Sequence, residues 1–316
     1  MTGNRSRGSA LLAVLWLSLA LSAIAFSVAN TVHGETERVS TAVDGVRGYY
    51  LATGAIERAI LYMQWGKMAP QNDDSPYYLP WRPILRMSFP TGEAEVDVIP
   101  ETAKYDLNRA SPDDLLRLLT ALGARDPAGI VEAIVDWRNP GGPTAFDQYY
   151  LSLTPSFRAR HASFEEIEEL LVVKGITPDL YYGTYERDAA GRLTPVGGLS
   201  ECVSIFGAID RFDINTAHPA LLASLGLTPG QVQAVVERRR RQPFRPEDDL
   251  GAFGTGKLRI GGNSMFTLRA TARLRLANGQ LSDMRRTVAA MVKFMPPGFE
   301  GGPYHIMRWY DSASRN

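Results

Sequence analysis

Residues 5–30 read RSRGSALLAVLWLSLALSAIAFSVAN: two arginines and a glycine, then an apolar run in which no charge appears before Glu35. A helix rises 1.5 Å per residue, so the run from Ser9 to Asn30 covers roughly the 30 Å of a bilayer's hydrocarbon core. Arg5 and Arg7 precede it and the first acidic residues are Glu35 and Glu37, so the positive-inside bias puts the N-terminus in the cytoplasm and the rest outside. Two fates are open. Small residues permit signal cleavage near Ala25 or Ala29. Retention as an anchor is favoured by the residues beyond Asn30: no proline occurs before Pro70, and apolar side chains stand at Val39, Ala42, Val43, Val46, Tyr50, Ile56, Ala59, Ile60 and Met63. That spacing predicts one helix continuing out of the membrane, with Val39 to Met63 packing one face on a domain. Gly34, Gly45, Gly48 and Gly54 each weaken it by up to about 1 kcal/mol, which leaves room for local breaks, Gly34 being the readiest place.

The whole chain has 316 residues, 34 Lys+Arg against 34 Asp+Glu, and one cysteine. Zero net charge argues against a protein that mainly coats nucleic acid or an anionic membrane. A lone Cys202 excludes an internal disulfide and a cysteine zinc site, and predicts a buried apolar side chain. His33, His161, His218 and His305 are scattered, with no HExxH or GxSxG spacing, so no enzyme is expected.

Past the helix, the proline-rich QNDDSPYYLPWRP (71–83) leads to Ile84–Phe89, a Thr91-Gly92 turn and the alternating EAEVDVI (93–99), which reads as a hairpin. Residues 264–294 alternate again around Asn278-Gly279, a type I′ turn signal. One antiparallel sheet packed on Val39–Met63 accounts for both pairs. The intervening texture is helical and repetitive. YDLNRASPDDLL (105–116) parallels FDINTAHPALL (212–222), pairing Asp106 with Asp213, Asn108 with Asn215 and Pro112 with Pro219. Each passes through Leu-Gly into a second helix, AGIVEAIVDWR or PGQVQAVVERRR. A partial third copy lies in IEELLVVKGITPDLYYGTY (167–185).

These features resemble a known family. A basic leader ending in glycine, MTGNRSRG, an apolar helix and its amphipathic continuation look like a type IV prepilin or pseudopilin. With YDLNRASPDDL, AIVDWRNPGG, DQYYLSL, ELLVVKGITPDLY and DINTAHPALL following in that order, the chain resembles the protein K family of type II secretion minor pseudopilins. The resemblance implies an α+β fold: a transmembrane, pilin-like helix on an antiparallel sheet, with a large all-α, SAM-like helix-hairpin-helix domain inserted. The implied parts are a leader over 1–8, a transmembrane helix over 9–30, helix continuation and first strands over 31–101, the insertion over 102–262, and C-terminal strands and tail over 263–316.

It further implies cleavage between Gly8 and Ser9 by prepilin peptidase, with N-methylation of Ser9. Most pilins carry a glutamate at the mature fifth position, where it neutralises a neighbour's terminal amine; here that position is Ala13. A charge buried without its partner costs several kcal/mol, so a subunit lacking this carboxylate is expected only at a filament end. Implied partners are the minor pseudopilins I and J with H, the major pseudopilin, the inner-membrane assembly platform, secreted cargo and the secretin. The family's helical domain is associated with calcium, which maps onto DWRNPGGPTAFDQYY (136–150) and its Asp136, Asn139 and Asp147. This loop has proline and glycine where relatives are often acidic, and calcium wants six to eight oxygens.

Two other readings compete. The segment from Asp213 to Leu250 also resembles membrane-anchored competence proteins that bind DNA, because helix-hairpin-helix N–H groups can face a phosphate. Against that, Gly226-Leu227-Thr228 lacks a second glycine, and Arg238–Arg241 is offset by Glu247, Asp248 and Asp249. GAFGTGKL (251–258) nearly spells a nucleotide-binding loop, but Leu258 stands where a magnesium-binding hydroxyl is needed and no apolar strand leads in, so it reads as a turn.

Overall fold

The computed structural model describes residues 5–69, 72, 74–187, 191–296 and 298–312, with side chains from Ala10 onward. The first four residues of the expected leader lie outside this set. Helix α1 spans Arg5–Gly66 without interruption. The glycines that left room for a break, Gly34 first among them, do not interrupt it. Gly34, Gly45 and Gly54 face open space, and a glycine still carries both backbone hydrogen-bonding groups, so propagation through a long helix outweighs its local entropy cost.

From Ala10 to Arg47, α1 is almost entirely exposed, and an 18-residue window in it has a mean hydropathy of 2.4. Such a helix is long and apolar enough to cross a membrane. Its buried face begins only at Gly48 and Leu51 and continues through Ala52, Ala55, Ile56, Ala59, Ile60 and Met63. The expectation that packing starts at Val39 is therefore corrected: Val39, Val43, Val46 and Tyr50 are exposed. The reason is the reach of the sheet. Gly48 lies against Arg286 and Leu51 against Gly92, and among the described residues nothing buries α1 on the N-terminal side of that edge.

The sheet has five antiparallel strands in the order β1-β2-β9-β10-β11, where β1 is Ile84–Phe89, β2 Gly92–Pro100, β9 Met265–Arg275, β10 Leu281–Phe294 and β11 Tyr304–Tyr310. Period-2 alternation puts Ala94, Val96, Val98, Leu268, Ala270, Val288, Ala290 and Val292 on the helix-facing side. The other face carries cross-strand ion pairs: Arg86–Glu95 at 3.1 Å, Arg269–Asp97 at 3.4 Å and Arg275–Glu93 at 3.0 Å. Strand β11 is a further element that the alternation over 264–294 does not reach. The β9–β10 connection is also a correction. Among its residues only Gly279 is left-handed (φ 82°), Gly279 N donates to Leu276 O at 2.9 Å and Leu276 N to Gln280 O at 2.8 Å. This is a type I turn closed by a glycine bulge, a geometry Asn-Gly serves as well as type I′.

Neighbouring strands β2 and β9 are paired directly, Val96 with Ala270 and Val98 with Leu268, although the chain between Pro100 and Met265 lies elsewhere. That intervening stretch holds β3 (Tyr105–Asp106), α2 (Pro112–Ala121), α3 (Pro127–Arg138), α4 (Ala145–Leu151), α5 (Pro178–Tyr182), β4 (Gly183–Arg187), β5 (Leu193–Gly197), β6 (Val203–Ser204), β7 (Phe212–Asp213), α6 (Pro219–Ser224), α7 (Pro229–Arg241) and β8 (Leu258–Arg259). It has its own core, from Tyr105, Leu107 and Leu118 through Trp137, Tyr150 and Phe164 to Phe212, Leu221 and Phe244. Cys202 is fully buried there.

The two repeats face one another. Tyr105 and Phe212 are edge to face with centroids 4.7 Å apart, and Arg117 Nε donates to Ser224 O at 3.1 Å. Each hairpin turns on a left-handed glycine, Gly123 (φ 72°) or Gly226 (φ 99°), and its second helix starts with a side-chain cap and a proline: Asp126-Pro127 and Thr228-Pro229. The third copy repeats the turn alone. Gly175 (φ 87°) and Thr177-Pro178 have the same arrangement, but a 3-10 turn over Ile167–Val172 enters it.

Candidate functional site

The Gly8–Ser9 bond lies in the backbone of α1, and Ala13 is exposed on the same helix. No carboxylate is present between Ser9 and Gly34. The apolar surface of α1 therefore has no internal charge to compensate.

The loop expected to hold calcium runs from the end of α3 into α4. Thr144 caps α4, and Asp147 completes the capping box by accepting from Thr144 N–H at 2.9 Å through Oδ2. Its Oδ1 accepts from Ala159 N–H at 3.2 Å. His161 Nε2 lies 3.0 Å from Asp147 Oδ2, and its Nδ1 lies 3.2 Å from the backbone oxygen of Asp136. The hydrogen bonds from Thr144 and His161 hold Asp147 below the usual carboxylate range, and the bond to Asp147 lifts His161 above the usual imidazole range.

These residues do not fit a calcium shell. Asn139 is exposed, N–H groups already occupy both oxygens of Asp147, and the adjoining cleft of about 410 Å³ brings in Arg158, a cation. Among the described residues, no group of three or more His, Cys, Asp or Glu side chains is arranged to hold a metal. The structure thus joins Asp136 and Asp147 through His161, a residue whose link to the loop no sequence spacing signals.

The hairpins are internally committed. Asn108 Nδ2 donates to Phe164 O at 3.0 Å and its Oδ1 accepts from Phe164 N–H at 2.7 Å; Asn215 does the same to Phe244 at 2.9 and 2.8 Å. In the arginine run, Arg238 pairs with Asp248 at 2.6 Å and lies over the Phe244 ring, while Arg239 turns inward. Among the described residues, Arg240 and Arg241 are the arginines of this run that stay exposed without such a contact, which is a weak phosphate site. The Thr228 N–H is taken by Gln231 Oε1 at 2.9 Å rather than offered to solvent. Lys257 of the glycine-rich GAFGTGKL points to Asp114 of α2 at 3.4 Å, and the segment folds as a 3-10 turn over Gly251–Phe253 followed by β8, with no helix after it. That is a tether between repeats, not a phosphate cradle.

The helical segment is also fastened to the sheet. Thr267 Oγ1 of β9 donates to the buried Glu101 at 2.6 Å, which pairs with Lys104 at 3.3 Å. Arg308 of β11 reaches Glu166 at 3.0 Å and Glu168 at 3.3 Å.

A helix long and apolar enough to cross a membrane, laid on an antiparallel sheet with a large helical segment looped out between two paired strands, is a pilin-like arrangement with an insertion. Two family models, both described as type II secretion system (T2SS), protein K, match residues 100–183 and 212–263. The type II secretion system protein K of Pseudomonas aeruginosa is 29% identical over 176 residues, covering 50% of this chain and 48% of that protein. The match thus spans about half the length of the curated relative. A chain in the crystal structure of the GspK-GspI-GspJ complex from the enterotoxigenic Escherichia coli type 2 secretion system has a similar fold, with a TM-score of 0.51 and 16% identity, covering 84% of this chain and 97% of that one. Over residues 100–183 and 212–263 the chain matches the type II secretion system protein K family.

Proposed function

We propose that this chain is a non-enzymatic minor pseudopilin that caps the tip of a type II secretion pseudopilus and initiates its assembly. The observation that carries this reading is the helical segment looped out between the paired strands β2 and β9 of a pilin-like core. A subunit carrying that bulk on every lateral neighbour would crowd a tightly wound filament, whereas at an end it has room. Ala13 agrees with this, since a subunit that offers no carboxylate to a neighbour's terminal amine fits a filament end, where that neighbour is missing. The exposed Val39, Val43, Val46 and Tyr50 provide an apolar face for the helices of adjacent subunits.

On this reading prepilin peptidase cuts after Gly8, Ser9 becomes the N-methylated first residue, and residues 9–30 hold the protein in the inner membrane with the remainder in the periplasm. Residues 102–262 act as a SAM-like domain. Partners are the counterparts of GspI and GspJ, with H, the major pseudopilin and the assembly platform beyond them, and cargo and secretin as outer contacts.

Mass spectrometry of the mature N-terminus tests processing: a start at Ser9 supports the proposal, and an intact Met1 or a start near Ala25 or Ala29 opposes it. Co-expression with the I and J counterparts is expected to yield a stable complex. Failure to co-purify, together with DNA binding that weakens steeply with salt, would return the competence-type reading.

A further inference from the structure

We propose that His161 closes the loop between Asp136 and Asp147 as an internal cation, so that this loop keeps its shape with no divalent metal. Hydrogen-bond polarity at the two ring nitrogens sets the state of the ring. His161 Nδ1 faces the backbone oxygen of Asp136 at 3.2 Å, and its Nε2 faces Asp147 Oδ2 at 3.0 Å. A backbone oxygen can only accept. Asp147 already accepts backbone N–H bonds at both oxygens, from Ala159 at Oδ1 and from Thr144 at Oδ2, and so is an acceptor too. Both ring contacts are satisfied together only if both nitrogens carry protons, which makes the ring an imidazolium.

Two further observations agree. The pair is largely enclosed, with side-chain exposures of 15% for His161 and 8% for Asp147, so its charges are poorly screened by water. His161 is the one non-glycine residue among those described with a left-handed backbone (φ 48°), a conformation that persists where side-chain contacts over-determine it. A divalent ion would draw the same two residues together; here a side chain fourteen positions beyond Asp147 does so, as 161 minus 147 gives.

The test uses the full chain in detergent micelles, with thermal unfolding followed by tryptophan fluorescence. At one fixed pH, millimolar calcium chloride and excess chelator are expected to give the same midpoint within about 1 °C. His161→Gln, which keeps a donor but cannot serve both acceptors, is expected to lower the midpoint by roughly 3–6 °C. Adding Asp147→Asn to it should cost clearly less than Asp147→Asn costs alone, because the two share one interaction. A wild-type midpoint that rises several degrees with calcium, calorimetric calcium binding that Asp147→Asn abolishes, or a His161→Gln midpoint equal to wild type would each overturn the proposal. If the variants do not fold, nitrogen NMR of selectively labelled histidine in the wild type decides: two protonated ring nitrogens at His161 support it, and a neutral tautomer overturns it.

Discussion

Arg138 and Arg239 hold equivalent places in the two hairpins. Arg138 donates to the carbonyls of Leu107 and Ala110 at 2.6 and 2.7 Å, and Arg239 to those of Ile214 and Ala217 at 3.1 and 2.6 Å. Each guanidinium therefore ties the end of the second helix to the Asp-Leu-Asn or Asp-Ile-Asn turn that starts its repeat. The arginine run of α7 is in this respect a structural device, and basic character there says little about nucleic acid.

Arg239→Ala is accordingly expected to destabilise the chain by about 2–3 kcal/mol, the scale of losing charge-assisted bonds to enclosed carbonyls. Arg240→Ala and Arg241→Ala, at exposed positions, should stay within about 0.5 kcal/mol. Denaturant unfolding of the three variants checks this. Equal losses at all three would remove the distinction.

The asparagine clamps predict a graded result. Asn215→Ala strands both backbone groups of the buried Phe244, whereas Asn108→Ala does the same to Phe164 in a partly buried setting. Losses of about 3 kcal/mol and 2 kcal/mol are expected, with Asn215 the more costly. Equilibrium unfolding gives both values, and the reverse order would show that enclosure is not what sets the cost.

Why those asparagines are legible as a repeat, yet not as clamps, comes from the range over which sequence patterns act. The Asp-x-Asn turns, the left-handed glycines and the capped proline starts are local rules, so residues 105–127 and 212–229 announce two matching units. The clamp partners Phe164 and Phe244 lie 56 and 29 residues away, where no period operates. The same limit hides His161. Helical spacing from Val39 to Met63 correctly indicates one helix, but spacing states which residues share a face and not where the covering sheet ends. That is why Val39 and Val46 are exposed and Leu51 is not. Asn278-Gly279 marks the β9–β10 turn without distinguishing two geometries that both want a left-handed glycine.

Gly92 tests the seam between helix and sheet. A Cβ there would lie 2.7 Å from Leu51 Cδ2 and 3.0 Å from Leu274 Cα, and would collide with the backbone oxygen of Arg273. Backbone cannot yield cheaply, so Gly92→Ala should cost roughly 2–3 kcal/mol. Gly54→Ala, in open helical space, should gain up to about 1 kcal/mol from propensity alone. Thermal melts of the two alanine variants are expected to move in opposite directions.

His218 carries a pH dependence whose sign can be fixed. It caps α6 with Nδ1 accepting from Ala220 N–H at 3.2 Å, a role that requires an unprotonated nitrogen. Burial first and Arg239 second push its pKa down to about 4, while the unfolded chain titrates near 6.5. Glu201 Oε2, at 3.8 Å from Nε2, is too distant for a hydrogen bond and does not reverse this direction. Between those two values the unfolded chain holds a proton that the folded chain lacks, so stability falls as pH drops from about 6.5 towards 4, by at most about 3 kcal/mol. His218→Asn keeps a side-chain cap and removes the titration. Subtracting its unfolding free energy from that of the wild type at each pH cancels the other carboxylates. The difference should shift against the wild type through that window and stay level above pH 7; a level difference throughout would show that His218 is protonated in the folded chain as readily as in the unfolded one.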